Sequence, residues 1–248
     1  MITIINPYYD NPEMLIRQFR QWRSYSPEVL RCLKVIVVDD CSPNYPAKNV
    51  LVGIRWGVEK FNFQFRFSLY RIKVNVRWNW LVCRNLGAEE ADKDSWLLLT
   101  DIDHLVPDDT MNYLWWGVEN GKFNKKRFYL FARVDAPNLT PYKRHPNSYF
   151  MHRDLYWKIG GYDEEFSGHY GTDGMYRRRA VRVAGEGRPL DVPLIRYPRE
   201  VIPDASTTEF KRKEGRDPDI LKNIRREKKL AGRIDDIKVL TFPWEKLL

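Results

Sequence analysis

Trp96-Leu97-Leu98-Leu99-Thr100-Asp101-Ile102-Asp103 is the stretch on which the fold turns. A continuous apolar run that stops on two carboxylates reads as a strand buried on both faces, with an acidic loop at its carboxyl end. The pattern recurs upstream, where Val35-Ile36-Val37-Val38 runs into Asp39-Asp40-Cys41-Ser42-Pro43. A third apolar run, Ile2–Ile5, stops at Asn6-Pro7, a turn signal. Between these runs lie helical patterns. Asn11-Pro12-Glu13 offers a capping residue, a first-turn proline and an acid, followed by Leu15, Phe19 and Trp22 at helical spacing. Asn79–Ala91 reads as another helix, Arg66–Lys73 as a strand with one solvated face, and Phe128–Val134 as a further strand.

Strands alternating with helices imply an α/β chain with a mostly parallel central sheet flanked by helices. In such sheets ligands bind beyond the carboxyl ends of the strands. That rule gathers Asn6-Pro7-Tyr8-Tyr9, Asp39-Asp40 and Asp101-Ile102-Asp103 at one edge. The remainder is less regular. Gly160-Gly161-Tyr162-Asp163 is a turn, and Thr172 or Asp173 caps a helix through Arg177-Arg178-Arg179. From about Thr207 the chain turns polar and charged, Asp217-Pro218-Asp219 has turn chemistry, and a basic helix follows near Ile220–Ala231. One domain over residues 1–206, with a basic C-terminal extension over 207–248 packed on it, is the expected organisation.

At 248 residues and 43% hydrophobic content the chain can bury a core and is not disordered. Fourteen per cent aromatics, nine of them Trp, suit a packed core, stacking platforms for sugars or bases, or both. The net charge of +9 favours acidic partners, such as nucleotide phosphates, nucleic acid or anionic membrane, without choosing among them. Cys32, Cys41 and Cys83 form no disulfide framework and have no metal-finger spacing, which points to a reducing compartment. No apolar stretch is long enough to span a membrane, and Met1-Ile2-Thr3-Ile4-Ile5 has no secretory signal pattern, so a cytoplasmic location is expected.

Taken singly, each polar feature has two readings. Asp101 and Asp103 can hold Mn²⁺ or Mg²⁺ against a diphosphate, or form a solvated strand-end turn. Asp92-Lys93-Asp94 and Asp217-Pro218-Asp219 share their spacing, but only Asp101 and Asp103 follow a buried-strand pattern. Asp39 and Asp40 can accept from a base or ribose, or cap the next turn. Arg84 can contact phosphate through its planar fork, or lie exposed on its helix.

Val37-Val38-Asp39-Asp40-Cys41-Ser42, Cys83-Arg84-Asn85-Leu86-Gly87-Ala88, the Leu97–Asp103 stretch and Ile159-Gly160-Gly161-Tyr162-Asp163-Glu164-Glu165-Phe166 occur in one order. Over residues 1–185 this resembles the family 2 glycosyltransferases, with a segment similar to the galactosyltransferase-type C-terminal segment. The resemblance implies a GT-A, Rossmann-like nucleotide-diphospho-sugar transferase fold. It also implies an inverting, metal-dependent hexosyltransferase with a UDP-sugar as donor. By the same resemblance Asp40 contacts the nucleotide base, Pro7 and Tyr8 line its pocket, and Arg84 lies near the nucleotide. Asp101 and Asp103 are the metal-diphosphate motif, with Asp103 the direct ligand. Asp173 is the general base, standing where the family has Glu-Asp; here Thr172 replaces the glutamate. Gly161, Tyr170 and Thr172 fall on the acceptor side, Tyr170 where an aromatic stacks on the acceptor sugar. A carboxylate at a helix N-terminus is expected to keep a low pKa. His104 reads as a supporting or surface group, His152 and His169 flank the acceptor region, and the late histidine ligand of some relatives is expected to be absent or replaced because none follows His169.

Lys122–Lys158 holds nine Lys/Arg against two Asp/Glu, with Tyr129, Phe131, Tyr142 and Tyr149 interleaved, and the Glu209–Leu248 tail holds twelve against eight. Such a surface can track a phosphate backbone, which would make the acceptor a hydroxylated base in nucleic acid, extruded if the substrate is duplex; or it is a solvated basic face or one that touches anionic lipid, the acceptor then being a glycan, a lipid or a protein. Two other readings stand: a basic nucleic-acid-binding module with a degenerate transferase fold, and a nucleotidyltransferase. The second lacks its glycine-rich loop, since Asn6-Pro7-Tyr8-Tyr9-Asp10 contains no glycine.

Overall fold

The computed structural model describes residues 1–56, 64–204 and 218–248. Its spine is a ten-stranded sheet. β1 (Ile2–Tyr8), β2 (Leu33–Asp39), β3 (Arg66–Ile72) and β4 (Trp96–Leu99) form a parallel half in the order β3-β2-β1-β4. Beyond β4 the sheet is mixed. β8 (Tyr149–His152) pairs antiparallel with β4, with Leu99 opposite Tyr149 and Trp96 opposite His152. β6 (Phe128–Asp135), β9 (Arg188–Arg196) and the short β5 (His104–Leu105) follow, with β7 (Thr140–Tyr142) paired to β6 off the main path. At the other edge β10 (Trp244–Lys246) pairs antiparallel with β3.

Side-chain alternation along the strands splits the core between two faces. Ile2, Ile4, Val35, Val37 and Leu98 pack with α1 (Pro12–Ser24), α2 (Pro27–Cys32), α3 (Ala47–Trp56) and α5 (Asp108–Glu119) through Phe19, Trp22, Leu30, Leu51 and Leu114. Ile5, Ile36, Val38, Leu97 and Leu99 pack with α4 (Trp80–Glu90), α6 (Arg153–Ile159) and α7 (Asp173–Ala184) through Leu81, Leu86, Leu155 and Tyr176. Each such side chain contributes about 1.5–3 kcal/mol of burial. α1 starts as its sequence implies: the Asn11 side chain accepts from the Met14 amide at 3.2 Å and Pro12 opens the helix.

Two expectations are corrected. β1 does not stop at Asn6-Pro7 but runs to Tyr8, with Pro7 opposite Val38. The Met1 carbonyl accepts from Trp96 on the β4 side and that of Tyr8 from Asp40 on the β2 side, so Pro7 faces β4's side of the sheet. β4 pairs only with Ile2–Ile5, so no ladder bond is lost at Pro7. Arg66–Ile72 does not keep a solvated face: Ser68, Leu69 and Tyr70 are all buried, because β10 covers the outer edge and the core closes on both sides. The chain from Thr207 to Asp217 lies outside the described residues, and the C-terminal helix, α8, runs over Pro218–Leu230.

Candidate active site

The carboxyl ends of β1, β2 and β4 open on one edge, and β8 and β5 start from it. The two acids after β2 divide the work. Asp39 is fully buried and accepts from the Ser42 and Ala47 amides, both at 2.8 Å, so it shapes the turn and caps α3. Asp40 keeps one oxygen on Asn79 Nδ2 at 3.2 Å. Burial pushes both carboxyls up, that of Asp40 well above the usual range, with the Asp39 charge adding to it. Tyr8 is buried and donates its hydroxyl to the Tyr45 carbonyl at 2.6 Å; Pro7 is buried beside it in β1.

Arg84 is not an exposed helical arginine. It is fully buried on α4 and donates to the Asn147 carbonyl at 2.5 Å, the Tyr162 hydroxyl at 3.0 Å and Asp101 Oδ1 at 2.6 Å. The neighbouring Asn85 donates to the Tyr162 carbonyl and to Glu164, and accepts from the Tyr162 amide and the Tyr156 hydroxyl. The Arg-Asn pair thus clamps the Gly160–Phe166 segment to the loop after β4 that carries Asp101. Gly161, at φ +66°, approaches Asn85 so closely that a Cβ there would lie 2.8 Å from Asn85 Oδ1. Its role in the fold is to permit that contact.

Asp101 is joined by two histidines. His145 Nε2 lies 3.4 Å from Asp101 Oδ2, and the His104 and His145 rings are 4.6 Å apart. One donor atom each from Asp101, His104 and His145 lies within 4.8 Å of the others, a set able to hold a metal ion. Burial holds the His145 imidazole down at about 3, which leaves it neutral with a lone pair to give. Its Nδ1 faces Ser148 Oγ at 2.9 Å, the kind of contact that orients a ligating imidazole. Asp103 contacts this set through His104, with Oδ1 at 2.6 Å from Nδ1. Burial alone raises the Asp103 carboxyl, but the contact with His104, with His145 and Arg196 beyond it, outweighs burial and holds the group below its ordinary value. His104 is buried, not a surface group, and its Nε2 faces Arg133 at 3.3 Å.

His145 is the residue that sequence reasoning passed over. It belongs to no motif, and only the register of β8 on β4 brings the residues before Tyr149 beside those after Leu99. His152 lies at the opposite end of β4, opposite Trp96, where it bonds Asp94 at 3.0 Å and caps α6. Its expected place on the acceptor side is therefore corrected.

Asp173 opens α7, preceded by a buried Thr172 whose hydroxyl has no partner among the described residues. Its carboxyl is raised, not lowered as the helix terminus suggested. Burial is the largest cause and the Asp101 charge adds to it, against its own backbone amide and Arg84. The helix dipole is the weaker effect here because desolvation acts on the charged form directly. Tyr170 is part exposed and meets Trp78 edge-on, with ring centroids 5.0 Å apart.

No family model and no curated protein matches the sequence. Solved structures do match. S. aureus TarS 1-349 superposes with TM-score 0.60 at 13% identity, covering 80% of this chain and 61% of that one. The Pyrobaculum calidifontis mannosyltransferase PcManGT, in complex with GDP-Man and Mn²⁺, gives 0.56 at 19% identity over 96% and 65%. GalNAc-T7 with UDP, GalNAc and Mn²⁺ gives 0.58 at 12% identity over 96% and 55%. The fold is that of the GT-A glycosyltransferases. The chain spans about three-fifths of the length of these neighbours, and at such identities the likeness is one of fold.

Proposed function

We propose that this chain is a metal-dependent glycosyltransferase that moves a sugar from a nucleotide-sugar donor, a UDP-sugar, to an acceptor hydroxyl with inversion. What carries this reading is the convergence of Asp101, His104 and His145 with the desolvated carboxylate of Asp173, at the ligand-binding edge of a GT-A sheet. Structures of the same fold hold UDP-GlcNAc in TarS, and GDP-Man with Mn²⁺ in the mannosyltransferase, which supports a nucleotide diphosphate at this edge.

Asp40, with Pro7 and Tyr8, stands where the nucleoside end would lie. Asp101, held by Arg84, and His145, held by Ser148, would bind the divalent ion with His104 or through Asp103 beyond it. Imidazole donors favour Mn²⁺ over the harder Mg²⁺. A divalent ion there supplies Lewis-acid stabilisation of the departing nucleoside diphosphate. Arg84 fixes Asp101 from one side, so one carboxylate oxygen stays turned to the edge. Asp173 takes the proton of the acceptor hydroxyl as that oxygen attacks the anomeric carbon. Burial raises its carboxyl, which makes it, once ionised, a stronger base than an ordinary aspartate. In this reading Thr172, which precedes it, Tyr170 and Gly161 serve the acceptor side.

The test is release of nucleoside diphosphate from a panel of UDP- and GDP-sugars, with Mn²⁺ and with chelator. Metal-dependent release that Asp173→Asn and Asp101→Ala abolish is the expected result. Absence of release and of nucleotide binding in the folded protein would overturn the reading.

A further inference from the structure

A second charged site lies behind α7, away from the edge just described. Tyr176, Ala180 and Ala184 turn one face of α7 to the core. Met175, Arg178, Arg179 and Arg182 occupy the other and wall a cavity of about 260 Å³, closed by Arg225 and Lys228 of α8. Five cationic side chains and two carboxylates line it. Both carboxylates are engaged. Asp163 accepts from Lys228 at 2.6 Å, and Asp235 from Arg182 at 2.8 Å. Arg179 donates to the Gly161 carbonyl, and its buried Nε has no partner among the described residues. Arg178 and Arg225 pair with no carboxylate among the described residues, and both line the cavity. Burial first, and then the Arg225 charge, push the Arg178 guanidinium down.

Two guanidinium groups line one cavity whose acids are already paired, so an anion entering it meets positive charge with no local counter-charge. Their planar forks suit the tetrahedral oxygens of phosphate better than a single carboxylate, because each offers two parallel N–H donors. Arg179 lines the cavity as well, its guanidinium anchored on the Gly161 carbonyl. We propose that the cavity between α7 and α8 is a phosphate-binding site, separate from the donor edge, in which Arg178, Arg225 and Arg179 hold a phosphate group. The group is either free phosphate or a phosphodiester of a chain-like ligand. α7 links the site to the transfer edge: Arg178 is five residues from Asp173, about 7–8 Å along the helix axis. A chain-like acceptor rounding the start of α7 would have a phosphate anchored here while its hydroxyl lies at Asp173. The site itself does not depend on the transferase reading.

The test is calorimetric titration of the full chain with inorganic phosphate, in wild type, Arg178→Gln/Arg225→Gln and Arg177→Gln. Arg178 and Arg225 are exposed, so the fold should tolerate their loss. Arg177 is exposed on the same helix and does not line the cavity. Saturable binding, weakened about tenfold or more in the double variant and unchanged in Arg177→Gln, is expected. Binding that the double variant retains, that Arg177→Gln loses equally, or that never saturates would overturn the proposal. A short single-stranded oligonucleotide that competes with phosphate assigns the site to a phosphodiester chain; phosphate binding without competition assigns it to free phosphate. UDP binding with Mn²⁺, read on the same samples, is expected to be equal in all three proteins, and its failure bears on the transferase reading alone.

Discussion

Asp173 shows how one side chain's surroundings set its chemistry. Read from sequence, it is a carboxylate kept acidic by a helix terminus; in the fold, burial and Asp101 outweigh that terminus and raise it. A general base works only when ionised, so its activity should fall, as pH drops, at a pH above the ordinary aspartate value of about 3.9. Asp173→Asn is expected to lower kcat by about 10²–10⁴-fold with little change in donor KM. The stability sign is opposite. A carboxyl whose folded pKa exceeds its unfolded value contributes stability below the unfolded value and loses it as pH rises through the folded one. The Asn variant should therefore melt no lower than wild type at neutral pH, as a thermal scan would show. Ser148 acts through another residue, by fixing Nδ1 of His145. Ser148→Ala is expected to weaken Mn²⁺ binding by about ten- to a hundredfold by calorimetry, with nucleotide binding in the absence of metal unchanged.

Among the helices and strands, α4 packs closely on β1 beneath the site. A Cβ on Gly87 would lie 2.4 Å from Ile5 Cγ2. In an exposed helix, Gly to Ala gains about 1 kcal/mol. Here the overlap is expected to reverse the sign, so that Gly87→Ala costs about 1–3 kcal/mol in denaturant unfolding. Elements of this half were legible in the sequence. β2, β4 and α4 carry strong patterns, because strands buried on both faces read as unbroken apolar runs and α4 carries the Arg-Asn-Leu-Gly-Ala motif. The order of those motifs with Gly160–Phe166 was legible too, and the structure gives its reason: Arg84 and Asn85 clamp that segment. The other half was not legible. β8 is four residues long and β5 two, too short to show a period. Their antiparallel pairing depends on long-range contacts, and His145 depends on β8. Pro7 misled for a related reason, since a proline in a strand is harmless only where no neighbour needs its N–H.

Across the chain, described C-terminal residues bond to the Gly160–Phe166 segment. Glu164 accepts from the Leu240 and Thr241 amides, and the buried Lys228 donates to Asp163, both acids within the segment that Asn85 holds. Lys228→Met removes the partner of a buried carboxylate, a loss of about 3–5 kcal/mol for a buried pair. It is expected to lower amide-exchange protection throughout α8 and residues 238–241, while β1, β2 and β4 keep theirs. Protection lost equally in all of them would instead mean a single cooperative unit. The basic charge is likewise organised, with the α7–α8 cavity drawing arginines from two helices that sequence alone leaves unrelated. The measurement that bears most directly on the whole account is Mn²⁺ binding, followed by electron paramagnetic resonance with and without UDP, in wild type and His145→Ala. The account predicts one Mn²⁺ site in wild type, tightened by UDP, and at least about tenfold weaker in His145→Ala. Binding of UDP without any Mn²⁺ site, or an Mn²⁺ site indifferent to His145, would contradict it.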